Sequence, residues 1–236
     1  MTQQTSPSDV AKIFDAEWRD DQAAAPFAES FNVAPTDPVT VVLQRDDGRV
    51  VERHRWGLIP AWASDPREGS RMINARAETV ASSPAFRVAF RKRRCIVPSD
   101  GFYEWQRRDG KRQPFYIRGA DGALLAMAGL WSIWKDPATG LWVPSCSVVT
   151  TQANDQMAPL HDRMPVLLDE EARWTWLDPD ETDAAFLQSL LEPAPEGVLD
   201  LYPVSSRVNS VRNNGEDLIS PIDVAVAGAE QATLFG

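Results

Sequence analysis

Cysteine is scarce in this sequence: Cys95 and Cys146 are the only two among 236 residues. Two isolated cysteines form neither a metal-binding spacing nor the framework of a disulfide-stapled secreted domain. The sequence also lacks any run of the ~20 apolar residues that a membrane span needs. Residues 2–9 are polar, which argues against a signal-peptide core. We therefore expect a protein of the reducing cytoplasm that has no membrane partner.

Histidine is equally scarce, with His54 and His161 as the two examples. The sequence has no nucleotide-binding glycine loop, no HExxH or CxxC metal motif and no GxSxG nucleophile motif. These absences argue against the nucleotide-dependent, zinc-dependent and serine-dependent enzymes that such motifs identify. We expect no metal and no cofactor.

The charge of the chain is unevenly distributed. Its net charge is −10, yet residues 43–118 contain 17 Lys and Arg against 9 Asp and Glu. Three basic clusters lie within that segment, at 45–55, 87–94 and 107–112. Because phosphate groups respond to the local field of a patch rather than to overall charge, the segment favours an anion-binding face. A set of separately solvated basic residues is the alternative.

A hydrophobic fraction of 43% with nine Trp and nine Phe indicates a packed globular protein. Ser6 and Pro7 are typical of a helix start and predict a helix over residues 8–19. Further helices are predicted at 83–94, 169–177 and 180–191, and strands at 39–44, 50–54, 115–118, 124–134 and 142–151. Strands and helices mix without βαβ alternation. We expect an α+β fold, a single domain over residues 1–222 with a largely antiparallel, barrel-like sheet and peripheral helices, and a flexible tail at 223–236.

Two residues are candidates for acid–base chemistry. Glu104 lies among aromatic residues in the segment 100–105, and burial beside rings would raise the pKa of its carboxyl group toward a range useful for proton transfer. The alternative is a half-exposed strand glutamate between inward-facing aromatic residues. His161 lies in a polar segment whose charged neighbours are placed to tune its proton affinity. His54 lies in a strand-like basic run and is interpreted as structural.

Asn74 and Arg76 are candidates for binding. Asn74 offers both a donor and an acceptor to an amine or a sugar hydroxyl. In an extended segment Arg76 shares its face, and a guanidinium group suits phosphate. Trp56, Trp62 and Trp105 are candidates for stacking on unpaired bases. A turn position is the alternative for Asn74, and a core position is the alternative for each tryptophan.

Eight blocks of the sequence follow one another in an informative order: NVAP (32–35), WGLIP (56–60), INARAET (73–79), RCIVP (94–98), GFYEW (101–105), TT (150–151), HDRMP (161–165) and PVS with VN (203–205, 208–209). In this order they resemble the SOS response-associated peptidase family, also called the abasic-site processing family. A single block is unspecific, whereas eight in register cover nearly the whole chain to about residue 222.

The resemblance implies a mechanism. Family members carry a cysteine directly after the initiator Met and remove that Met, which explains the word peptidase. The terminal amine and thiolate attack the ring-opened aldehyde of an abasic site in single-stranded DNA. They close a thiazolidine ring and leave a covalent DNA–protein crosslink.

The resemblance also implies roles for individual residues. Glu104 is expected to shuttle protons, His161 to protonate or hold the opened sugar, and Asn74 to position the terminal amine. Five further residues are expected to contact the DNA: Arg76 and Arg163 at its phosphates, Trp62 and Trp105 beside the lesion, and Thr150 in the same pocket.

The sequence departs from the family at its start. Family members begin Met-Cys-Gly-Arg-Phe and continue with a Thr- or Ala-led polar stretch, whereas this sequence begins Met1-Thr2-Gln3. Either the four residues are missing from the sequence as given, or the chain is a cysteine-less variant. Cys95 and Cys146 are unsuitable substitutes, since each lies in a strand-like run where a buried thiol is inert. A chain that starts at Met1 is expected to bind DNA with little stable crosslinking.

The C-terminal residues resemble the short Gln-x-x-Leu-Phe peptide that docks on bacterial sliding clamps. Gln231, Leu234 and Phe235 occupy the motif positions. A flexible tail with two apolar residues suits peptide recognition. A sliding clamp is therefore a second expected partner.

The sequence leaves three functions open. The first is an enzyme that crosslinks abasic single-stranded DNA in the cytoplasm, at the nucleoid of damaged bacteria. The second is a single-stranded DNA-binding module without catalysis, as the missing cysteine would suggest. The third is a peptidase that acts on other proteins through Glu104 and His161.

Overall fold

The computed structural model describes residues 1–19, 27–108 and 110–223. Helices are short and strands carry most of the structure. The helices are α1 (Pro7–Ile13), α2 (Arg87–Lys92), α3 (Glu170–Leu177) and α4 (Ala184–Ser189). The strands are β1 (Glu17–Trp18), β2 (Pro38–Arg45), β3 (Gly48–Trp56), β4 (Asn74–Arg76), β5 (Arg94–Ser99), β6 (Phe102–Arg108), β7 (Lys111–Gly119), β8 (Leu125–Lys135), β9 (Trp142–Gln152), β10 (Arg163–Pro165) and β11 (Leu199–Pro203).

Five strands close into a barrel in the order β3-β2-β5-β8-β9, with β9 returning to β3. Neighbours run antiparallel except β3 and β9, which pair in parallel. Along β2, Val41 and Leu43 belong to one apolar cluster and Val42 to another that includes residues of the helices. Both faces of the barrel wall are therefore apolar, as expected when one lines the interior and the other carries helices. The predicted α+β fold with a largely antiparallel, barrel-like sheet is confirmed.

A second sheet of β11, β7 and β6 lies beside the barrel. Tyr103 of β6 and Tyr116 of β7 pair across the sheet, and their rings lie 5.3 Å apart between centroids. Tyr103 also donates a hydrogen bond from its hydroxyl to the carbonyl oxygen of Phe31 at 2.6 Å. These contacts fix the position of β6, the strand that carries Glu104. The sequence predicted part of β7 but not β6 or β11.

The five predicted strands match β2, β3, β7, β8 and β9, and the helix prediction at 169–177 matches α3. The prediction at 8–19 was too long, because the first helix ends at Ile13 and Asp15 adopts a left-handed backbone conformation. Arg49 causes this ending in part. Its Nε donates to the carbonyl oxygens of Phe14 and Asp15, both at 3.0 Å, and so satisfies groups that a helix end leaves free.

The predicted helices at 83–94 and 180–191 were also too long. The second of them begins only after Asp183, whose side chain accepts hydrogen bonds from the backbone N–H groups of Ala185 and Phe186. In the first, residues 84–86 form turns and Arg94 already belongs to β5. The basic pattern of that segment therefore does not reflect one continuous helix.

Arg94 joins the ends of two helices inside the protein. Its buried guanidinium group donates to the carbonyl oxygens of Phe90 and Arg91 in α2, at 3.0 and 2.9 Å. It also donates to Trp176 in α3 at 2.6 Å, and to the carbonyl groups of two residues that follow that helix. Burial lowers the pKa of Arg94. A single cation thus satisfies carbonyl groups that would otherwise be buried without a donor.

Residues 224–236 lie outside the described part of the chain, and with them the predicted clamp peptide at Gln231, Leu234 and Phe235. The predicted domain boundary at residue 222 stays a prediction. Among the described residues, no helix is both long and apolar enough to cross a membrane.

Replacing Arg94 by Met is expected to lower the free energy of unfolding by roughly 3–5 kcal/mol, since several buried carbonyl groups would lose their donor. Urea unfolding followed by tryptophan fluorescence measures this loss. Arg87→Met, at an exposed position of α2, is the control and should change stability by less than ~0.5 kcal/mol. Equal effects of the two substitutions would show that Arg94 has no special structural role.

Candidate functional site

A cavity of about 320 Å³ opens where the barrel meets the second sheet. Strands β3, β4, β6, β8, β9 and β10 all contribute to its wall. The lining residues are Met1, Trp56, Asn74, Arg76, Phe102, Tyr103, Glu104, Met127, Val148, Thr150, His161, Arg163, Met164 and Pro165. Six of the eight predicted site residues are therefore brought together: Asn74, Arg76, Glu104, Thr150, His161 and Arg163.

Two of these residues come from β4, which pairs in parallel with β9. Asn74 and Arg76 are exposed, whereas Ala75 between them is fully buried. The alternation of an extended strand thus places the amide and the guanidinium group on one face, as predicted. Thr150 of β9 is the register partner of Arg76, so the pairing of β4 with β9 also sets the distance between these two residues.

Glu104 enters the cavity from β6 and is half-buried. Burial raises the pKa of its carboxyl group, while His161 and the backbone N–H of Trp105 act in the opposite direction. A carboxyl group in this setting retains its proton at a higher pH than a solvated glutamate does. This direction agrees with the raised pKa that the sequence predicted for Glu104. Glu104 is also a half-exposed strand residue, which was the alternative prediction.

His161 follows a turn and lies opposite Glu104 in the lining of the cavity. Its Nδ1 accepts a hydrogen bond from the backbone N–H of Arg163 at 3.0 Å. The carboxylate of Asp162 lies 3.2 Å from the same nitrogen, but Asp162 is exposed and strongly solvated. We favour the backbone hydrogen bond as the fixed contact. Nδ1 is then the acceptor, so the neutral ring carries its proton on Nε2.

Met1 is buried in the wall of the cavity. Its carbonyl oxygen accepts from the backbone N–H of Val33 at 2.9 Å, and the next residue, Thr2, donates to Gly101 at 2.8 Å. Burial lowers the pKa of the Met1 α-amino group to about 5, against the opposing effect of the carboxylates of Glu104 and Asp37. An amine at this position is therefore neutral, and nucleophilic, at neutral pH.

Arg163 is tied to the rim of the cavity by three polar contacts. Its Nη1 and Nη2 donate to the two carboxylate oxygens of Glu78 at 2.6 and 3.0 Å. Nη2 also donates to the carbonyl oxygen of Thr150 at 2.6 Å, while the buried Nε has no partner. The ion pair with Glu78 holds the pKa of that carboxyl group below its usual range. The guanidinium group is thus already occupied by protein groups.

Of the three tryptophans that are candidates for stacking, Trp62 and Trp105 do not line the cavity. Trp62 is 64% exposed in the segment that follows β3. Trp105 donates from its indole N–H to Asn209 Oδ1 at 2.7 Å, and Arg112 lies over its ring. Trp56 reaches the cavity instead. A role of Trp62 and Trp105 beside a lesion stays a prediction.

Several basic residues of the segment 43–118 serve the structure rather than a shared anion-binding face. Arg45 forms an ion pair with Glu52 at 2.8 Å, Arg49 pairs with Asp15, and Arg94 is buried among carbonyl groups. The expectation of one face formed by all three basic clusters is therefore wrong for these residues.

Cys95 and Cys146 are fully buried, and burial raises the pKa of both thiols. His54 is buried as well and is hydrogen-bonded through Nε2 to Glu52 at 3.0 Å. None of these three side chains reaches the cavity. Among the described residues there is no cluster of three His, Cys, Asp or Glu side chains that could hold a metal ion.

Sequence reasoning missed the apolar part of the site. Met127 and Val148 are interior residues of β8 and β9 that extend into the cavity floor. Their alternation with outward residues marks them as core but carries no sign of a cavity. Met1 itself was not named, although the resemblance placed the terminal amine beside Asn74. The bridges of Thr2 with Gly101 and of Gln3 with Ser30 hold the start of the chain here.

Comparison with known proteins identifies relatives of this chain. The family model for SOS response associated peptidase (SRAP) matches residues 1–211. Among relatives, the abasic site processing protein YoqW of Bacillus subtilis is 44% identical over 191 residues, which are 80% of this chain and 85% of that protein. The abasic site processing protein HMCES of Gallus gallus is 32% identical over 238 residues, with 88% and 70% of the two chains covered.

Solved structures agree with the sequence relatives. A crystal structure of a protein from Bacteroides thetaiotaomicron superposes with a TM-score of 0.82 at 27% identity, over 94% of this chain and 98% of that one. A crystal structure of a protein from Bordetella bronchiseptica gives 0.71 at 30% identity, over 85% and 96%. The chain belongs to the SOS response associated peptidase family.

Proposed function

We propose that this protein processes abasic sites in single-stranded DNA by receiving the opened sugar in the cavity and linking it covalently to the start of the chain. One observation carries the proposal: Asn74, Glu104, His161 and the backbone of Met1 converge on one cavity, with Arg76 at its wall. An abasic nucleotide has no base, so its sugar can enter a cavity of about 320 Å³ while the phosphates stay outside.

The polar residues of the cavity suit the steps of this reaction. An amine adds to the C1′ aldehyde of the opened sugar, and loss of one water molecule gives a Schiff base. Glu104, with its raised pKa, supplies the proton that the departing hydroxyl needs. His161 donates from Nε2 to a sugar oxygen, and the Asn74 amide holds the amine in place.

A cysteine at the terminus would complete the reaction. Its thiolate attacks the carbon of the Schiff base, the nitrogen takes up a proton, and a five-membered thiazolidine ring closes. If Cys-Gly-Arg-Phe stood after the initiator Met, Phe would take the buried position of Met1 and the cysteine would lie three residues before it. Three extended residues span at most roughly 10 Å, which is enough to reach Glu104 and His161 from that position.

The crosslinking proposal predicts a clear difference between two recombinant chains. A chain with Cys-Gly-Arg-Phe inserted between Met1 and Thr2 should form a shifted band with abasic single-stranded DNA on a denaturing gel. A chain that starts at Met1 should bind the same DNA but form little stable band, since its neutral α-amine gives only a reversible Schiff base. Borohydride, which reduces such a bond, should trap this intermediate.

Two controls sharpen that experiment. The inserted sequence with Ser in place of Cys keeps the length but lacks the thiolate. Intact mass spectrometry of the inserted chain reports whether the initiator Met is removed, as autopeptidase activity requires. No crosslink with the Cys-bearing chain would contradict the proposed function, and binding without any crosslink would leave a DNA-binding module.

Glu104→Gln in the Cys-bearing chain is expected to slow crosslink formation by about 10²–10⁴-fold, the usual contribution of a positioned proton donor. The amide keeps the shape of the side chain, so binding of undamaged single-stranded DNA should change less than about twofold. Single-turnover gels measure the rate and fluorescence anisotropy measures the affinity. A parallel loss of affinity and rate would mean that Glu104 acts in binding. Cleavage of unrelated peptides that depends on Glu104 would instead favour a peptidase that acts on other proteins.

The C-terminal sequence supports a further part of the proposal, an encounter with replicating DNA at the nucleoid through a sliding clamp. Leu234→Ala combined with Phe235→Ala should abolish retention on an immobilised bacterial clamp, because both apolar side chains of the peptide are lost. Thr233→Ala, at a variable position of the same motif, is the matched control. Equal retention of all three proteins ends this idea without affecting the crosslinking proposal.

A further inference from the structure

We propose that Glu78 is an internal competitor for the phosphate site of Arg163, and that it thereby sets the affinity of the protein for single-stranded DNA. In the free protein Glu78 occupies the guanidinium group, and a DNA phosphate takes its place on binding. The inference rests on the proposed function, since it concerns the strand that delivers the lesion.

The geometry of the ion pair matches the geometry of a phosphate contact. Glu78 presents two oxygens to Nη1 and Nη2 of Arg163 at 2.6 and 3.0 Å, side by side. A phosphate group binds arginine in the same two-pronged arrangement. Both ligands therefore need the same two nitrogens, and they cannot bind in this way together.

The remaining donors of Arg163 offer no second two-pronged site. Nη2 already donates to the carbonyl oxygen of Thr150 at 2.6 Å, which anchors the guanidinium group to β9. Nε has no partner but is buried below the surface, out of reach of a strand that passes over the rim. A phosphate that binds Arg163 in the two-pronged arrangement must therefore replace the carboxylate.

The two partners differ in freedom to move. The Arg163 side chain is 20% exposed and held by Thr150, whereas the Glu78 side chain is 44% exposed. Glu78 can therefore turn into water while the guanidinium group stays at the rim. An ion pair with this exposure contributes little stability, because solvent screens it, so its replacement by a phosphate is accessible.

Arg76 provides the first point of contact for such an exchange. It lies two residues before Glu78 on the exposed face of the same segment and makes no ion pair among the described residues. A strand held there by one phosphate brings a neighbouring phosphate to Arg163 at high effective concentration. A free phosphate ion lacks this advantage and should not displace Glu78. The pair would thus keep Arg163 from free anions and reserve it for a polyanionic strand.

The test compares reversible binding of an undamaged, fluorescein-labelled single strand by chains that start at Met1. Glu78→Gln should bind about threefold to tenfold more tightly than wild type, because one competing charge of an exposed pair is removed. Glu78→Asp keeps the charge and should stay within about twofold of wild type. Asp200→Asn is the matched control, since Asp200 has nearly the same exposure as Glu78 and pairs with Arg118 outside the cavity.

A double substitution separates competition at Arg163 from a general change in charge. In an Arg163→Met background, Glu78→Gln should no longer increase affinity. An increase that persists there, or a Glu78→Gln protein that melts normally but binds no better than wild type, would overturn the inference. If Glu78→Gln does not fold, Glu78→Ala provides the same comparison. Absence of DNA binding by the wild-type chain would instead refute the proposed function.

Discussion

The pairing of strand β9 is the constraint on which both the fold and the site depend. This strand pairs with β8 and β3 to close the barrel, and farther along it pairs with β4 and β10. The second pair of contacts places Asn74 and Arg76 on one side and Arg163 on the other, with Thr150 between them. A shift of β9 by one residue would turn these side chains to the opposite face. The strand that closes the barrel therefore also sets the positions of the site residues, through a second set of hydrogen bonds.

The positive field that the protein offers to a ligand depends on which arginines are paired with carboxylates. A protein of net charge −10 has carboxylates enough to pair most of its arginines, and Arg45, Arg49, Arg118 and Arg163 are each paired. A count of basic residues along the sequence therefore overestimates the positive field available to a ligand. Arg76 stands out for the opposite reason, since it borders the cavity and forms no ion pair with a carboxylate in the part of the chain that the structure describes. Local pairing, more than composition, decides where an anion can bind.

The structural features predicted from the sequence depend on residues that are close in the chain. The features that it missed depend on contacts between residues that are distant in the chain. Strand-like runs of residues located β2, β3, β8 and β9, and the two-residue spacing of Asn74 and Arg76 gave their common face. The predicted first helix was too long, in part because Arg49, which is distant in sequence, donates hydrogen bonds to the carbonyl groups at the end of this helix. The ion pair of Arg163 with Glu78 spans 85 residues, and no local pattern announces it. The family resemblance pointed to six residues that line the cavity, because it carries such distant relations within its motifs.

Burial shifts the pKa values of Glu104 and the Met1 α-amine in opposite directions, and this supports the proposed Schiff-base chemistry. Removal from water disfavours the charged form of any group, so it raises the pKa of the Glu104 carboxyl and lowers that of the Met1 α-amine to about 5. In water a carboxylic acid loses its proton well before an amine does, and a protonated acid rarely meets a neutral amine. Inside the cavity the pKa values of the carboxyl group and the amine move toward each other. The proposed reaction needs a protonated carboxyl group beside a neutral amine, and burial acts on the pKa of each group in the direction that this requires.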